Sequence, residues 1–119
     1  MNRTTLKVLA LSLLTSASHS ETYLCRADLD QIGRPGETED YIYTRNKYGF
    51  TERTYFGENQ AQIALENERH IILIRPKEYG ALMFSFIDKK RLEFGTHALS
   101  IEWIEQGKKG LFGNCASRN

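Results

Sequence analysis

Hydrophobic and polar residues alternate in short stretches along most of the chain, and turn-forming residues separate these stretches. A period of two is typical of strands that bury one face, and the helical period is nearly absent. The pattern predicts strands over Thr22–Ala27, Tyr41–Arg45, Phe50–Phe56, Ile71–Ile74, Leu82–Ile87, Arg91–Phe94 and Ala98–Ile104. About seven to eight short strands predict an all-β fold, a small antiparallel β-barrel or a sandwich.

The alternation also predicts which side chains share a face of a strand. The expected sets are Tyr23, Cys25 and Ala27; Leu82, Phe84 and Phe86; and Leu99, Ile101 and Trp103. Ile71–Ile74 is a continuous apolar run, which is typical of a strand buried on both faces. Turn signals stand at Gly33–Gly36, Asn46–Gly49, Gly57–Asn59 and Asp88–Lys90.

One segment, Asn59–Arg69, fits two predictions. It is rich in Gln, Ala, Glu and Leu, which favour helices, and Asn59 is a suitable N-cap for a short helix near 59–69. A strand over Gln62–Leu65 fits the pattern about as well, so both remain open at this point.

The first residues have the layout of a secretory signal peptide. A basic segment, a short apolar run and a small polar segment follow one another: Met1–Lys7, Val8–Leu14 and Thr15–Ser20. We expect cleavage near Ser20, with Ser18 as the alternative, and a single β domain over 21–119. The apolar run is shorter than the roughly 20 residues that span a bilayer. Because Leu24 before the first cysteine is not small, we expect a soluble periplasmic or secreted protein without a lipid anchor.

Charge and composition exclude several classes of protein. The chain has 16 basic and 15 acidic residues, and Arg3 and Lys7 belong to the predicted leader. The remaining part is therefore almost neutral, which argues against nucleic-acid binding driven by overall charge. A hydrophobic content of 40% argues against a disordered chain. Two cysteines are too few for a cysteine-dense scaffold or a four-cysteine zinc module.

The two cysteines, Cys25 and Cys115, lie near the two ends of the predicted domain. In an oxidising compartment such a pair is expected to form one disulfide. Closing so long a loop is worth roughly 4–5 kcal/mol in the chain-entropy model. A redox role needs an activated thiol, typically in a Cys-x-x-Cys motif, and the sequence has none, so we interpret the bond as structural.

Signals for catalysis, metals and cofactors are weak. His70 and His97 lack the short spacing of a zinc site, and neither a Gly-x-Ser-x-Gly elbow nor a phosphate-binding loop is present. We therefore expect no catalytic, metal or cofactor site. The best enzymatic alternative is a small secreted ribonuclease, in which Glu66, Arg75 and His97 would act as base, phosphate ligand and acid.

A candidate partner-binding segment precedes Cys115. Lys108 and Lys109, followed by Leu111 and Phe112, are flanked by glycines and could form a protruding recognition loop. The alternative, which we favour, is that Leu111 and Phe112 belong to the final strand and fill the core.

A second candidate is a mixture of aromatic and basic residues on neighbouring predicted strands: Tyr41, Tyr43, Arg45, Tyr48, Arg53 and Tyr55. Tyr41, Tyr43 and Arg45 share one face, and Tyr and Arg are favoured at interfaces. The alternative, which we again favour, is an ordinary half-exposed sheet face.

Tyr23-Leu24-Cys25 at the start of the predicted domain and Asn114-Cys115 near its end resemble the frame of the small periplasmic inhibitors of C-type lysozyme. The resemblance implies an eight-stranded barrel and a binding role. The family's Ser-Gly-x-x-Tyr inhibitory stretch has no counterpart here, so no inhibitory residue is carried over.

Three hypotheses about function follow. The first is an exported, non-enzymatic binding protein that acts as an inhibitor or immunity protein against a cell-wall hydrolase, its partner being a muramidase or an amidase. The second is a small-ligand carrier that uses the barrel interior, which a buried cavity would favour and a core filled by Phe84, Phe86 and Trp103 would oppose. The third is the ribonuclease.

Overall fold

The fold is an antiparallel β-barrel. A computed structural model describes residues 21–76, 82–99 and 110–118. The eight strands are β1 (Thr22–Asp28), β2 (Thr38–Asn46), β3 (Gly49–Thr54), β4 (Gly57–Glu66), β5 (His70–Pro76), β6 (Leu82–Asp88), β7 (Glu93–Leu99) and β8 (Leu111–Arg118). Each strand pairs with the next one, and β8 pairs with β1, which closes the barrel. The prediction of an all-β fold is confirmed, and the barrel is the correct alternative.

Two parts of the prediction lie outside the described residues. These are the leader, Met1–Ser20, and most of the last predicted strand, Ala98–Ile104. The described part of that strand belongs to β7, which begins at Glu93.

The inward face of β1 agrees with the alternation in the sequence. Tyr23, Cys25 and Ala27 are all buried, and the residues between them are exposed. The predicted disulfide is present between Cys25 and Cys115, which lie directly opposite each other on β1 and β8. It therefore ties the first strand of the barrel to the last.

The segment for which two predictions were open is a strand. β4 covers Gly57–Glu66, so the possible helix near 59–69 is wrong. Ala61 is buried and Ile63 packs against the core, with a register shift between Ile63 and Leu65. Pairing with β3 on one side and β5 on the other outweighs the helix propensity of Gln, Ala and Leu here, because the barrel cannot close without this strand.

Two predicted burial patterns differ from the structure. In β5, Ile71 and Leu73 are buried, but Ile72 and Ile74 are only partly buried, so the strand buries one face and not two. In β6 the predicted apolar set Leu82, Phe84 and Phe86 lies on the outer face, and the inner face carries Met83, Ser85 and Ile87. Phe84 and Phe86 therefore do not fill the core.

Side chains fill the described interior of the barrel. The largest fully buried ones are Tyr43, Phe50, Phe94, Ile71, Leu73, Ile87 and Glu52. Tyr41, Tyr43 and Phe94 form an aromatic cluster with ring centroids 5.4–6.5 Å apart. An eight-stranded barrel has an interior just wide enough to be filled in this way.

The two ends of the barrel differ in their connections. One end, the turn end, carries the short β2–β3, β4–β5 and β6–β7 turns. The opposite end carries the β1–β2 connection, with a 3₁₀ helix at Leu29–Ile32, and the tight β3–β4 turn at Tyr55 and Phe56. Consecutive hairpins therefore place Tyr48, in the β2–β3 turn, at the opposite end from Tyr55.

Candidate functional site

The predicted aromatic and basic face on β2 points into the barrel. Tyr41 and Tyr43 are buried, so a docking partner cannot reach them. Arg45 lies at the turn end, where it forms ion pairs with Glu21 and Glu66 and lies 4.7 Å from the centre of the Phe50 ring. The three residues share a face, as predicted, but this face stabilises the core and offers no contact surface.

A polar network crosses the barrel interior. Arg75 donates to Glu52 Oε1 at 2.9 Å, and Tyr43 donates its hydroxyl hydrogen to Glu52 Oε2 at 3.0 Å. Ser85 Oγ lies 3.1 Å from the Tyr43 hydroxyl and 3.2 Å from Thr96 Oγ1. Burial, and after it the charge of Glu52, raises the pKa of Tyr43 well above its usual value.

The side chains of this network are hydrogen-bonded to one another. In the part of the chain that the structure describes, no buried side-chain nitrogen or oxygen lacks a hydrogen-bond partner. Polar groups that bind each other, set among packed aromatic and aliphatic side chains, are typical of a packed core. The interior thus gives the carrier hypothesis no supporting observation.

The structure does not bring the ribonuclease residues together. Glu66 binds Arg45 and Lys89 at the turn end, and Arg75 binds Glu52 inside the barrel. His97 lies on the outer face of β7, opposite Phe84. A base, a phosphate ligand and an acid must act on the same phosphodiester, so this arrangement does not form the predicted site.

The residues that the structure describes contain neither a cluster of metal-ligand type nor a membrane-spanning helix. There, no three residues among His, Cys, Asp and Glu lie close enough together to hold a metal ion. No helix in these ranges is long and apolar enough to cross a membrane.

The predicted segment before Cys115 belongs to strand β8 from Leu111 onwards. Leu111 packs against the core, whereas Phe112 points outward and is 56% exposed. The final-strand alternative is therefore correct for both residues, although Phe112 does not fill the core. Lys108 and Lys109 lie outside the described residues. A role of Phe112 in binding stays a prediction.

Phe112 belongs to an apolar outer surface, which we call the aromatic face: Phe84, Phe86, Gly95, His97 and Phe112. The ring centroids of Phe86 and Phe112 are 6.1 Å apart. A Cβ atom on Gly95 would lie 2.3 Å from the Phe86 ring and 2.9 Å from the Phe112 ring, so both rings lie across this glycine. Only a residue without a side chain allows both rings to pack across β7.

The most exposed aromatic side chains of the described residues form the tip of the β3–β4 hairpin. Tyr55 is 91% exposed and Phe56 is 85% exposed, and their rings meet edge to face with centroids 5.4 Å apart. We call this pair the β3–β4 tip.

Local contacts hold the β3–β4 tip in shape. The Phe56 amide donates to Thr54 Oγ1 at 3.1 Å, and Arg53 forms an ion pair with Glu58 across the two strands. Gly57 has a φ of 127°, which a residue with a side chain rarely adopts. The turn is therefore pre-formed and presents both rings to solvent.

A groove of about 380 Å³ runs beside the tip. It is lined by Thr38, Glu39, Asp40, Ile42, Arg53, Thr54 and Tyr55. The tip is thus the raised wall of a concave surface between β2 and β3, and the two together could engage a partner of complementary shape.

The alternation predicts a strand as far as Phe56 and therefore does not place Tyr55 and Phe56 in a turn, so the β3–β4 tip is not predicted. A usable signal was present: Gly57 directly after two aromatic residues, followed by the polar run Glu58-Asn59-Gln60 at the start of β4. A two-residue turn before a glycine would have placed both rings outside the sheet.

No known protein family, curated protein or solved structure matches this chain. What it binds must therefore be inferred from its own residues.

Proposed function

We propose that the chain is an exported, non-enzymatic binding protein that inhibits a cell-wall hydrolase, a muramidase or an amidase, by inserting the β3–β4 tip into the enzyme's substrate cleft. The observation that carries the proposal is the near-complete exposure of Tyr55 and Phe56 at the end of a rigid hairpin. The predicted leader directs the chain to the compartment in which such enzymes act.

Burying the β3–β4 tip in a partner is energetically favourable. Two large aromatic side chains that are exposed in the free protein would lose their contact with water, and aromatic residues are prominent among interface hot spots. Because the Thr54 acceptor and the Arg53–Glu58 pair hold the backbone of the turn already, little backbone entropy is lost on binding.

A convex tip requires a concave receptor. Substrate clefts are the commonest large concavities on enzymes and are lined largely by apolar and aromatic groups. A phenyl or phenol ring is similar in size to a sugar ring, so each ring of the tip could occupy a saccharide position in a muramidase. Inhibition would then be steric and competitive with the substrate, whether the enzyme belongs to a host or to a rival bacterium.

The test is a panel of purified muramidases and amidases assayed with the protein without its predicted leader. We expect tight binding and competitive inhibition of at least one enzyme. The double variant Tyr55→Ala, Phe56→Ala should weaken that binding by at least about 100-fold, since each ring is expected to behave as a hot spot.

The matched control is Tyr48→Ala. Tyr48 is also largely exposed, at 70%, but it lies at the opposite end of the barrel, so this variant should inhibit like the parent. The proposal is wrong if no enzyme of the panel is bound, or if the Tyr55, Phe56 variant inhibits as strongly as the parent.

A further inference from the structure

A short edge of strand β2 lies open beside the β3–β4 tip. The pairing of β2 with β3 ends at Ile42 and Arg53, whereas the pairing of β2 with β1 continues to Thr38. The groove beside the tip separates this extension of β2 from Tyr55. We propose that the open edge, Thr38–Asp40, binds an extended polypeptide segment with the order apolar, basic, apolar, which adds to the barrel as a short extra strand.

The direction of the backbone groups along β2 defines this edge. Alternate residues of a strand direct their N–H and C=O groups to opposite neighbours. The Arg45 amide donates to the Glu21 carbonyl at 2.8 Å, so the odd-numbered residues of β2 face β1, with which the register is continuous. Thr38 and Asp40 therefore face the side of β3. Together they offer two donors and two acceptors along an extended chain.

These backbone groups have no backbone partner among the described residues. Elsewhere a residue beyond a strand end supplies one: the Leu92 carbonyl, which precedes β7, accepts the Cys115 amide at 2.7 Å. Thr38 and Asp40 are exposed, so water solvates their free groups in the unbound protein. An incoming strand would replace this water with main-chain hydrogen bonds, as at other open sheet edges.

The chemistry of the edge identifies the class of ligand. Two donors and two acceptors that alternate along an extended strand match the backbone of a second extended strand. A saccharide or a lipid headgroup has no such repeat. Because the edge is only three residues long, it fits a short segment of polypeptide.

The outer side of the groove favours apolar side chains on this segment. Asp40 forms its ion pair with Arg26 on the outer surface, so the even-numbered residues of β2 point outward. Residues opposite Thr38 and Asp40 would share this side, where Ile42 and Tyr55 line the groove. Two apolar side chains at these positions would contact Ile42 and the Tyr55 ring.

The residue between these two would lie opposite Glu39 and on its side of the sheet. Asp40 and Glu37 are each paired with an arginine at 2.6 Å, whereas Glu39 forms no ion pair with any described residue. A Lys or Arg of the segment would therefore meet a carboxylate that does not already bind one of the described cations.

The probe is the capped pentapeptide Thr-Val-Lys-Val-Thr, which carries this order and favours an extended backbone. It is titrated into the isotope-labelled protein without its predicted leader. We expect amide shifts confined to residues 38–42 and 53–55, with a dissociation constant of about 1 mM. N-methylation of both valines removes the two peptide donors and should weaken binding by at least about tenfold. Glu in place of the Lys should weaken it by at least about fivefold.

The variant Thr38→Pro tests the edge from the side of the protein. Proline removes the N–H that faces the groove and no bond to β1, and it is tolerated at the first residue of a strand. Binding should weaken by at least about fivefold. The matched control is Thr38→Ala, which keeps the N–H and should bind like the parent. Circular dichroism checks that both variants fold.

Absence of shifts at the highest peptide concentration, or binding that N-methylation leaves unchanged, would overturn the inference. Equal weakening by Thr38→Pro and Thr38→Ala would place the contact on the threonine side chain and would contradict the open edge. A Glu peptide that binds as tightly as the Lys peptide would contradict the role of Glu39. The assay contains no hydrolase, so its result is independent of the proposed function.

Discussion

The side-chain amide of Gln31 pairs with the backbone of Phe112 as a neighbouring strand would. Its oxygen accepts the Phe112 amide at 3.0 Å, and its nitrogen donates to the Phe112 carbonyl at 2.7 Å. The pairing of β1 with β8 ends at Ala27 and Gly113, because the chain then turns into the 3₁₀ helix. We call the junction between β1 and β8 the seam of the barrel. Gln31 thus continues the hydrogen bonding along this seam by one residue beyond the last paired residue of β1.

Replacing Gln31 by Ala should open this part of the seam. Three hydrogen bonds are lost, two to Phe112 and one from the Gln31 amide nitrogen to the Asp28 carbonyl, and the Phe112 backbone is left to water. We therefore expect a loss of about 1–2 kcal/mol in the free energy of unfolding. Urea denaturation measures the loss, and hydrogen exchange should show a faster Phe112 amide. Gln62→Ala, on the outer face of β4, is the control and should change neither quantity. An unchanged exchange rate at Phe112 would show that the contact does not persist in solution.

The buried pair of Glu52 and Arg75 should behave as a unit. Only 2% of the Glu52 side chain and 13% of the Arg75 side chain are exposed. Glu52→Leu leaves the guanidinium of Arg75 buried without a counter-charge, and Arg75→Met leaves the carboxylate of Glu52 without one. Each single variant should lose about 3–5 kcal/mol of stability, because an unpaired buried charge is costly.

The double variant Glu52→Leu, Arg75→Met should be far more stable than the sum of the two losses predicts. Apolar side chains of similar volume replace both charges, and the Tyr43 hydroxyl keeps Ser85 as its partner. Chemical denaturation of all four proteins gives the coupling energy. Strictly additive losses would mean that the two charges do not stabilise each other.

The sequence predicted the strands and the disulfide because these depend on local alternation and on two residues of one type. The inward face of Tyr23, Cys25 and Ala27 is predicted correctly because the other face of β1 carries the charged residues Arg26 and Asp28, although Leu24 on that face is apolar. In β6 both sets of alternate residues are apolar enough to be buried. A period of two shows which side chains share a face, but it does not show which face is inside.

The outward position of Phe84 and Phe86 follows from long-range contacts. Ser85 lies inside because it contacts Tyr43, which is 42 residues away in the sequence, and Thr96. The same holds for the candidate site: the exposure of the β3–β4 tip depends on where β3 ends, and the end is set by its pairing with β4 at Thr54 and Gly57. The first relation leaves no mark in the local pattern, and the second leaves only Gly57 directly after the two aromatic residues.

Gly113 is a position where the seam leaves no room for a side chain. A Cβ atom there would lie 1.9 Å from the Arg26 carbonyl oxygen and 2.8 Å from the Phe94 ring. Because the first contact is with backbone, Gly113→Ala must push β8 away from β1, and we expect a loss of about 3 kcal/mol. Thermal and chemical denaturation measure it.

Gly95→Ala is the matched control for Gly113→Ala. Its Cβ atom would meet the rings of Phe86 and Phe112, which lie on the outer surface and can rotate outward. The expected loss is below about 1 kcal/mol. Equal losses at the two glycines would contradict the placement of Gly113 against backbone.

Stability should fall in acid partly through Asp88. Its carboxylate accepts the Arg91 amide at 2.9 Å, the Lys90 amide at 3.0 Å and Arg69 Nε at 3.0 Å. These bonds, the Arg91 amide foremost, lower the pKa of Asp88 to about 2 from an ordinary value of 3.8. Since the folded pKa is the lower one, this stabilisation is present above the ordinary value and disappears as the pH falls towards about 2.

The variant Asp88→Asn should therefore be less stable than the parent at neutral pH, and the two stabilities should converge as the pH falls from about 4 to about 2. Arg69→Gln, which leaves both backbone amides in place, should flatten the pH dependence less than Asp88→Asn does. Urea denaturation at a series of pH values gives these curves, and carboxyl NMR titration gives the pKa of Asp88 directly. A variant Asp88→Asn that keeps the parent's full acid dependence would show that Asp88 binds its proton equally well in the folded and unfolded chain.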